Sequence, residues 1–385
     1  MRSIAFLLLS SLLIVDGAVR DMGFANFTCD PSVFAKSKTV PTSAHSVRFA
    51  DIKIIAALGD SLTAANGAGS EPYDPLAVIL QYRGLAFQIG GDKTLEEHIT
   101  VPNILKKFNP DIFGYSHGIG TENVWETSKL NMGVPGAESK DIIAQARKLV
   151  STMKKHPEVD IKHDWKLVNI FIGANDVCVY CEDPYINETS VHSPHQYIEN
   201  IKTAVQILKD NLPRTIVSVT GMFNMGMLRK IDHDKYFCEG LHLFECDCES
   251  HTEQYSNEEI QETCFGYMNA ENDLMASGHF DTSDDFTLVV QPFLNGVVDP
   301  PYTTNGTVDM TFFAADCFHF SAFGHSIVAM NLWNTIIQPV GQKQTKVDLA
   351  DTTVGVRCPD TSCPFFPTTK NSKDCKSFRT QNVLD

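Results

Sequence analysis

Basic residues and long apolar runs are what this 385-residue chain has least of. Its 31 Lys and Arg stand against 47 Asp and Glu, a formal net charge of -16. Nucleic-acid backbones are held by clustered Lys and Arg, so that class of partner is excluded. Adsorption to anionic membranes through bulk charge is disfavoured for the same reason. The apolar run from Ile4 to Val15 is shorter than the roughly 20 residues a membrane-spanning helix needs. It follows Arg2 and leads to Val15 and Gly17, the pattern of a secretory leader over residues 1–17, cut after Gly17. No second long apolar stretch follows, so no integral span is expected in the mature chain. Repeats, heptads and low-complexity tracts are also missing, which excludes solenoids and coiled coils.

Cysteine is plentiful, with eleven residues. An exported chain keeps disulfides, so structural pairing is expected rather than redox chemistry at Cys178-Val-Tyr-Cys181. Cys238, Cys246, Cys248 and Cys264 lie near His233, His242 and His251, but their spacing matches no zinc pattern. Disulfides are expected there, and no metal. The odd count leaves one thiol over. Asn26-Phe-Thr, Asn187-Glu-Thr and Asn305-Gly-Thr are N-glycosylation acceptors in an exported chain.

Four short apolar runs read as buried strands: Ile52–Leu58, Leu167–Ile172, Thr215–Val219 and Phe286–Val290. A further short strand should lead into Asn131. Helical patterns lie between them. Ile142, Ile143, Ala146, Leu149, Val150 and Met153 form an apolar stripe behind a cap at Ser139. Phe323, Ile327, Met330, Trp333 and Ile337 form another, stopped by Pro339 and Gly341. Strands alternating with helices predict an α/β fold, a three-layer α/β/α sandwich around a parallel sheet. The segments 67–129 and 230–285 exceed ordinary connections and read as insertions at one end of the sheet, the second carrying four cysteines. One domain is expected over 18–345, with an irregular tail over 346–385.

In such a sheet, ligands bind beyond the carboxyl ends of the strands. Ser61 stands there, directly after Gly59-Asp60 at the end of the first run. A serine needs a base, an acid to orient that base, and oxyanion donors. Asp316 and His319, three apart, can meet on a single turn and supply the first two. Gly136, in the small-residue turn Gly133-Val-Pro-Gly-Ala137, offers a backbone N–H. Asn175, in Gly173-Ala-Asn-Asp176, offers a side-chain amide, and Ser61 its own N–H. Asp60 is expected to hold the turn. The chemistry these residues define is ester hydrolysis, and it needs no metal or organic cofactor. Ser116, in Gly114-Tyr-Ser-His-Gly118, has the spacing of a nucleophile elbow but lacks the strand before it and the helix after it. It reads as a loop. Met222, Phe223 and Met225 follow the third strand and are candidates to line an acyl groove.

The four blocks Gly59-Asp-Ser61, Gly136, Gly173/Asn175 and Asp316/His319 resemble those of the SGNH, or GDSL, serine hydrolases, whose fold is flavodoxin-like. Longer segments resemble a single repeat of the animal phospholipase B1 family: Gly59 to Gly69, Tyr82-Arg-Gly-Leu-Ala-Phe-Gln-Ile-Gly-Gly-Asp92, Leu105-Lys-Lys-Phe-Asn-Pro110 and Phe312 to Phe320. The likeness runs from about Cys29 to about Pro367. It implies a catalytic Ser61, His319 and Asp316, an oxyanion hole at Ser61, Gly136 and Asn175, and a lipid ester substrate met in transient contact with a lipid surface. It also implies cysteines near 29, 178, 181, 238, 246, 248, 317 and 358, which leaves the odd thiol among Cys264, Cys363 and Cys375. Members often carry several repeats and a C-terminal anchor; one repeat and no anchor are read here. The expectation is a secreted phospholipase B-like hydrolase. Its rivals are a carbohydrate-acetyl or general carboxylesterase and, in another class, a non-catalytic secreted lipid-binding protein.

Overall fold

The computed structural model describes residues 19–379, apart from 73, 185–186, 233–235 and 254, and apart from the side chains of 75, 236 and 244. The leader at 1–17, His233 and the last six residues lie outside them. Four strands form one sheet in the order β1-β2-β3-β4: β1 (Ile52–Gly59), β2 (Trp165–Phe171), β3 (Thr215–Thr220) and β4 (Phe286–Gln291). All neighbours run parallel, in register at Ala57–Asn169, Val168–Val217 and Ser218–Val289. These are the four runs read from the sequence. Their residues are buried on both faces almost throughout, which is why they are continuous apolar runs rather than alternating ones.

Twelve α-helical segments occur among the described residues. Up to the third strand they are α1 (Ser61–Ala64), α2 (Val101–Leu105), α3 (Trp125–Ser128), α4 (Ile142–Lys155), α5 (Ala174–Val179) and α6 (Pro194–Asn211). After it come α7 (Met227–Asp232), α8 (Tyr236–Glu245), α9 (Asp247–Ser250), α10 (Asn257–Ala276), α11 (Ala322–Ile336) and α12 (Lys376–Arg379). Helices α4, α6 and α10 pack side by side and against β1 and β4, while α2 and α11 pack together elsewhere on the sheet. The fold is thus α/β, with helices covering a central parallel sheet.

Three local readings change. The short strand into Asn131 is a single bridge to Ala57. Residues 130–134 still run beside β1 through Ala57 N–H to Leu130 O, Met132 N–H to Ala57 O and Val134 N–H to Gly59 O. Ser139 does not cap α4. It opens a 3-10 turn, Ser139–Asp141, and its hydroxyl donates to buried Asp176 at 2.5 Å. Helix α11 is not striped, for every residue in it is buried. The C-terminal segment covers the face that would otherwise meet water. Trp333 Nε1 donates to Arg357 O, Asn334 Nδ2 to Gly355 O, and Phe366 packs on Phe49, which itself packs on Trp333. Among its described residues that segment has one short helix, α12, and no strand, yet Leu349, Val356 and Phe366 belong to the core.

Five disulfides join Cys29–Cys358, Cys178–Cys246, Cys181–Cys248, Cys238–Cys317 and Cys363–Cys375. The Cys178-x-x-Cys181 pair does not close on itself; both sulfurs reach across to the segment before and within α9. Cross-links 68 and 67 residues apart in sequence restrict the unfolded chain by about 4 kcal/mol each in the loop-entropy account. Three of the four cysteines in the imagined zinc cluster are thereby committed. Cys264 is the free one, buried, with its thiol pushed up to about 12 by that burial. The native protein should therefore show no reactive thiol, the protein unfolded without reductant one, and the reduced protein all eleven. Titration with a thiol reagent checks this, and three or more thiols before reduction would refute the pairing.

Candidate active site

Ser61 is presented by a turn that leaves almost no room. At the end of β1, Gly59 is clamped by one side chain. Gln145 of α4 accepts from the Gly59 N–H at 2.9 Å and donates to its carbonyl at 2.8 Å. A Cβ on Gly59 would lie 2.1 Å from Thr63 Oγ1 and 2.4 Å from the Phe171 carbonyl, so only glycine fits. Asp60 is the N-cap of α1, its Oδ1 accepting from the Leu62 N–H at 2.9 Å. That is the structural role read from the sequence. Ser61 then opens the helix, where N–H groups have no intrahelical partner.

The base arrives from a turn near the far end of the chain. Asp316 Oδ1 accepts from the N–H groups of Phe318 and His319, at 3.1 and 3.0 Å. Cys317 between them takes φ +66°, which closes the turn. Asp316 Oδ2 lies 2.5 Å from His319 Nδ1, and His319 Nε2 lies 2.7 Å from Ser61 Oγ. Burial alone would raise Asp316, but the His319 charge and the two amides hold it below the usual carboxylate range. Burial alone would lower His319, but Asp316, with Glu245 and Asp60 further off, raises it.

The expected donors lie on two other segments, Gly136 on the one beside β1 and Asn175 after β2, and these two meet each other. Gly136 is exposed, with φ +76°. Its loop is pinned from inside by Arg83, whose fully buried guanidinium donates to the carbonyls of Gly120, Asn131 and Gly133. The Arg-Gly-Leu segment stood out in the sequence, but this task did not. Asn175 is half-buried in the first turn of α5, and its Nδ2 donates to Ala137 O at 2.8 Å, beside Gly136. An amide carries two such hydrogens, and one remains for another acceptor.

Other candidates fall elsewhere. Ser116 is sealed in the interior, donating to Arg83 O at 2.7 Å, and is a loop residue as read. Met222 and Met225 are fully buried in the core, and Phe223 is 6% exposed against Phe171 and Phe320. Phe223 packs beside Phe320, the residue after His319. A cleft of about 670 Å³ opens past Asn224 and Gly226, lined also by Arg229, Lys230 and Tyr302, and holds none of Ser61, His319 and Asp316. Two groups of acids and imidazoles could in principle bracket a cation: Asp232, His242 and Glu249, and Glu245, Asp316 and His319. In the first, His242 Nδ1 lies 2.8 Å from Asp232 Oδ1. Gln145 and Glu245 were not read from the sequence. Neither sits in a motif, and each reaches the site from another element.

A hydroxyl, an imidazole and a carboxylate in hydrogen-bonded line, beyond the carboxyl end of a parallel sheet, is the arrangement of the serine hydrolases. The chain belongs to the GDSL-like Lipase/Acylhydrolase family, whose model matches residues 55–332. It is 42% identical to rat membrane-associated phospholipase B1 over 353 residues, 90% of this chain and 23% of that protein. Against the human protein of that name it is 41% identical over 340 residues, 87% of this chain and again 23% of the relative. The chain thus spans under a quarter of these relatives' length. A solved structure from Parabacteroides merdae, described as a GDSL-like lipase, aligns with 73% of this chain and 93% of its own, at 13% identity and a TM-score of 0.34.

Asp60 carries a measurable signature. Burial pushes its carboxyl up to about 7, against the pull of Leu62 N–H and His319, and its Oδ2 has no hydrogen-bond partner among the described residues. Its unfolded value is about 4. The folded chain therefore keeps a proton that the unfolded chain loses. That contribution to stability is full below about pH 4 and is lost as pH rises through about 7. Asp60→Asn keeps the cap oxygen and removes the titration. Its melting temperature should fall less than the wild type's between pH 5 and pH 8, each pKa unit being worth about 1.4 kcal/mol. Parallel thermal melts check this, and identical slopes would refute it.

Proposed function

We propose that the chain is a secreted serine ester hydrolase of the phospholipase B kind, which releases fatty acids from phospholipids and lysophospholipids through an acyl-enzyme. Residues 18–345 form the hydrolase domain behind a leader at 1–17. The observation that carries the chemistry is the line from Ser61 Oγ through His319 to Asp316. His319 Nε2 takes the Ser61 proton as Oγ attacks the ester carbonyl. Asp316 fixes the tautomer by accepting from Nδ1–H and stabilises the imidazolium that forms. The developing oxyanion takes hydrogen bonds from the N–H groups of Ser61 and Gly136 and from the free amide hydrogen of Asn175. His319 returns its proton to the leaving alcohol. Water then repeats the sequence on the acyl-enzyme.

The substrate class rests on family membership and on likeness to the phospholipases B1. Exposed apolar residues near the site support contact with lipid aggregates. Leu76 and Ile79 are 80% and 74% exposed. Their segment meets the Ser61 side of the site, where the Gly67 N–H donates to Leu80 O. Phe237 and Leu243 are exposed on α8, which Cys238–Cys317 fastens to the histidine turn. The acidic net charge favours zwitterionic over anionic surfaces. Export is supported by the five disulfides and by the exposure of Asn26, Asn187 and Asn305, the three glycan acceptors. No helix of the described residues is long and apolar enough to cross a membrane.

Purified protein should release fatty acid from a defined phosphatidylcholine and its lyso form, and Ser61→Ala should abolish that release while the fold persists. His319→Ala should lose as much, and the double variant little more, because the residues act as a unit. Release unchanged in Ser61→Ala would end the reading. Asn175 separates the oxyanion role from substrate binding. The charge it would meet exists only in the transition state, so Asn175→Ala should lower kcat by about 10²–10³ with KM within a few fold. Full kcat in a folded Asn175→Ala, on an ester whose chemistry limits turnover, would exclude the role.

A further inference from the structure

We propose that Glu245 is a positioning residue of this site: from helix α8 it presents a second carboxylate to the His319–Asp316 pair and sets the proton state of the imidazole. The proposal rests on the serine-hydrolase reading of Ser61, His319 and Asp316 above. A carboxylate oxygen of Glu245, one of Asp316 and a ring nitrogen of His319 lie within 4.8 Å of one another. Glu245 Oε2 is buried and accepts no hydrogen bond among the described residues. A carboxylate oxygen taken out of water without a donor is costly. Here the positive charge that can offset that cost is the imidazolium that forms when His319 takes the Ser61 proton.

The placement is fixed by the covalent structure. Cys317 stands between Asp316 and Phe318 and is bonded to Cys238 in the first turn of α8. One turn after Cys238 on that helix, His242 packs edge-on against Phe318, ring centroids 5.9 Å apart. The helix that carries Glu245 is thus fastened to the turn that carries Asp316 and His319.

The charged groups around the cluster are few. Asp316, His319 and His242 face Glu245. His242 is engaged by Asp232 at 2.8 Å and lies 3.9 Å from Glu249. His319 faces Asp316, Glu245 and Asp60, and also His325 of α11, which burial holds well below the ordinary imidazole value; Asp60 faces Asp176. Burial, then Asp316, drives Glu245 up to about 7. While His319 is neutral, Asp316 favours a protonated Glu245. Once His319 is protonated, Glu245 is drawn to its charged form and releases its proton to solvent. Two anions then stabilise one imidazolium, and His319 is a stronger base than Asp316 alone would make it.

The sign of the test follows. Removing the Glu245 charge lowers the affinity of His319 for protons, so the acid limb of kcat/KM moves to lower pH. Glu245→Gln should shift that limb down by about one pH unit on a soluble ester, with the same shift in fluorophosphonate labelling of Ser61. Glu245→Asp, which keeps the charge, should stay near the wild-type profile. Superimposable wild-type and Gln profiles would overturn the proposal. The wild-type protein tests it without any variant. The His319 ring protons, followed by NMR across pH, should titrate in two steps because a second group shares the equilibrium. A single-step curve would overturn it as well. If wild type hydrolyses no ester and Ser61 takes no label, the serine-hydrolase reading fails. If wild type is active and neither the limb nor the titration shows Glu245, only this proposal fails.

Discussion

The hydrogen bond between Ser61 Oγ and His319 Nε2, 2.7 Å long across 258 residues of sequence, is the contact on which the arrangement of the site depends. Neither partner can shift alone. Ser61 is set by Asp60 capping its own short helix and by Gln145 clamping Gly59. His319 is set by the Asp316 turn, which spends both carboxylate oxygens on the two residues that follow Cys317 and on the imidazole. The sheet supplies the common frame. The strands are parallel, their carboxyl ends lie together, and loops from β1, β2 and the segment beside β1 reach the same place.

That frame places many acids where water does not reach. Asp60 and Asp176 are 1% exposed and Asp316 is 0% exposed. Each meets that burial differently. Asp316 is paired and stays charged, whereas burial drives Asp60 up to about 7 and Asp176 up to about 6. Asp176 holds the N–H and hydroxyl of Ser139 at 2.8 and 2.5 Å, tying the Gly136 loop to the α5 turn that bears Asn175. Gly136 and Asn175, the donors proposed for the oxyanion, are therefore on segments joined behind the surface by buried polar contacts. Such contacts fix geometry because an unpartnered buried group is so costly.

The insertion between β3 and β4 has little sheet of its own to pack on. Its helices are held by disulfides to α5 and to the histidine turn. This stapling compensates for a small local core and sets α8 over the site, where Glu245 meets His319. The C-terminal segment plays a comparable part on the opposite course of the chain, closing over α11 and bonded back to Cys29.

Local grammar was enough for much of this. A buried strand reads as an apolar run, and a glycine where the backbone must come close reads as a break. So the four strands, Gly59-Asp60-Ser61 and the Asp316–His319 turn could be picked out from neighbours within a few positions, and the same kind of signal is what proposes Gly136 and Asn175. The same logic failed where partners come from far away. Whether α11 shows one face or none to water depends on residues some 20 to 30 positions later. Met222 and Met225 looked like a groove and lie in the core, because apolar character does not say which side of a sheet edge will be covered. Arg83 was visible as part of a motif, but its three carbonyl partners lie 37 to 50 residues on. Gln145 and Glu245 carry no local signal at all, for an amide or a carboxylate on a helix is ordinary until the fold brings it against Gly59 or His319. The sequence by itself determined the chemistry available at each turn and strand end. Tertiary structure alone decided which buried charges face one another, since that depends on distances no spacing along the chain encodes.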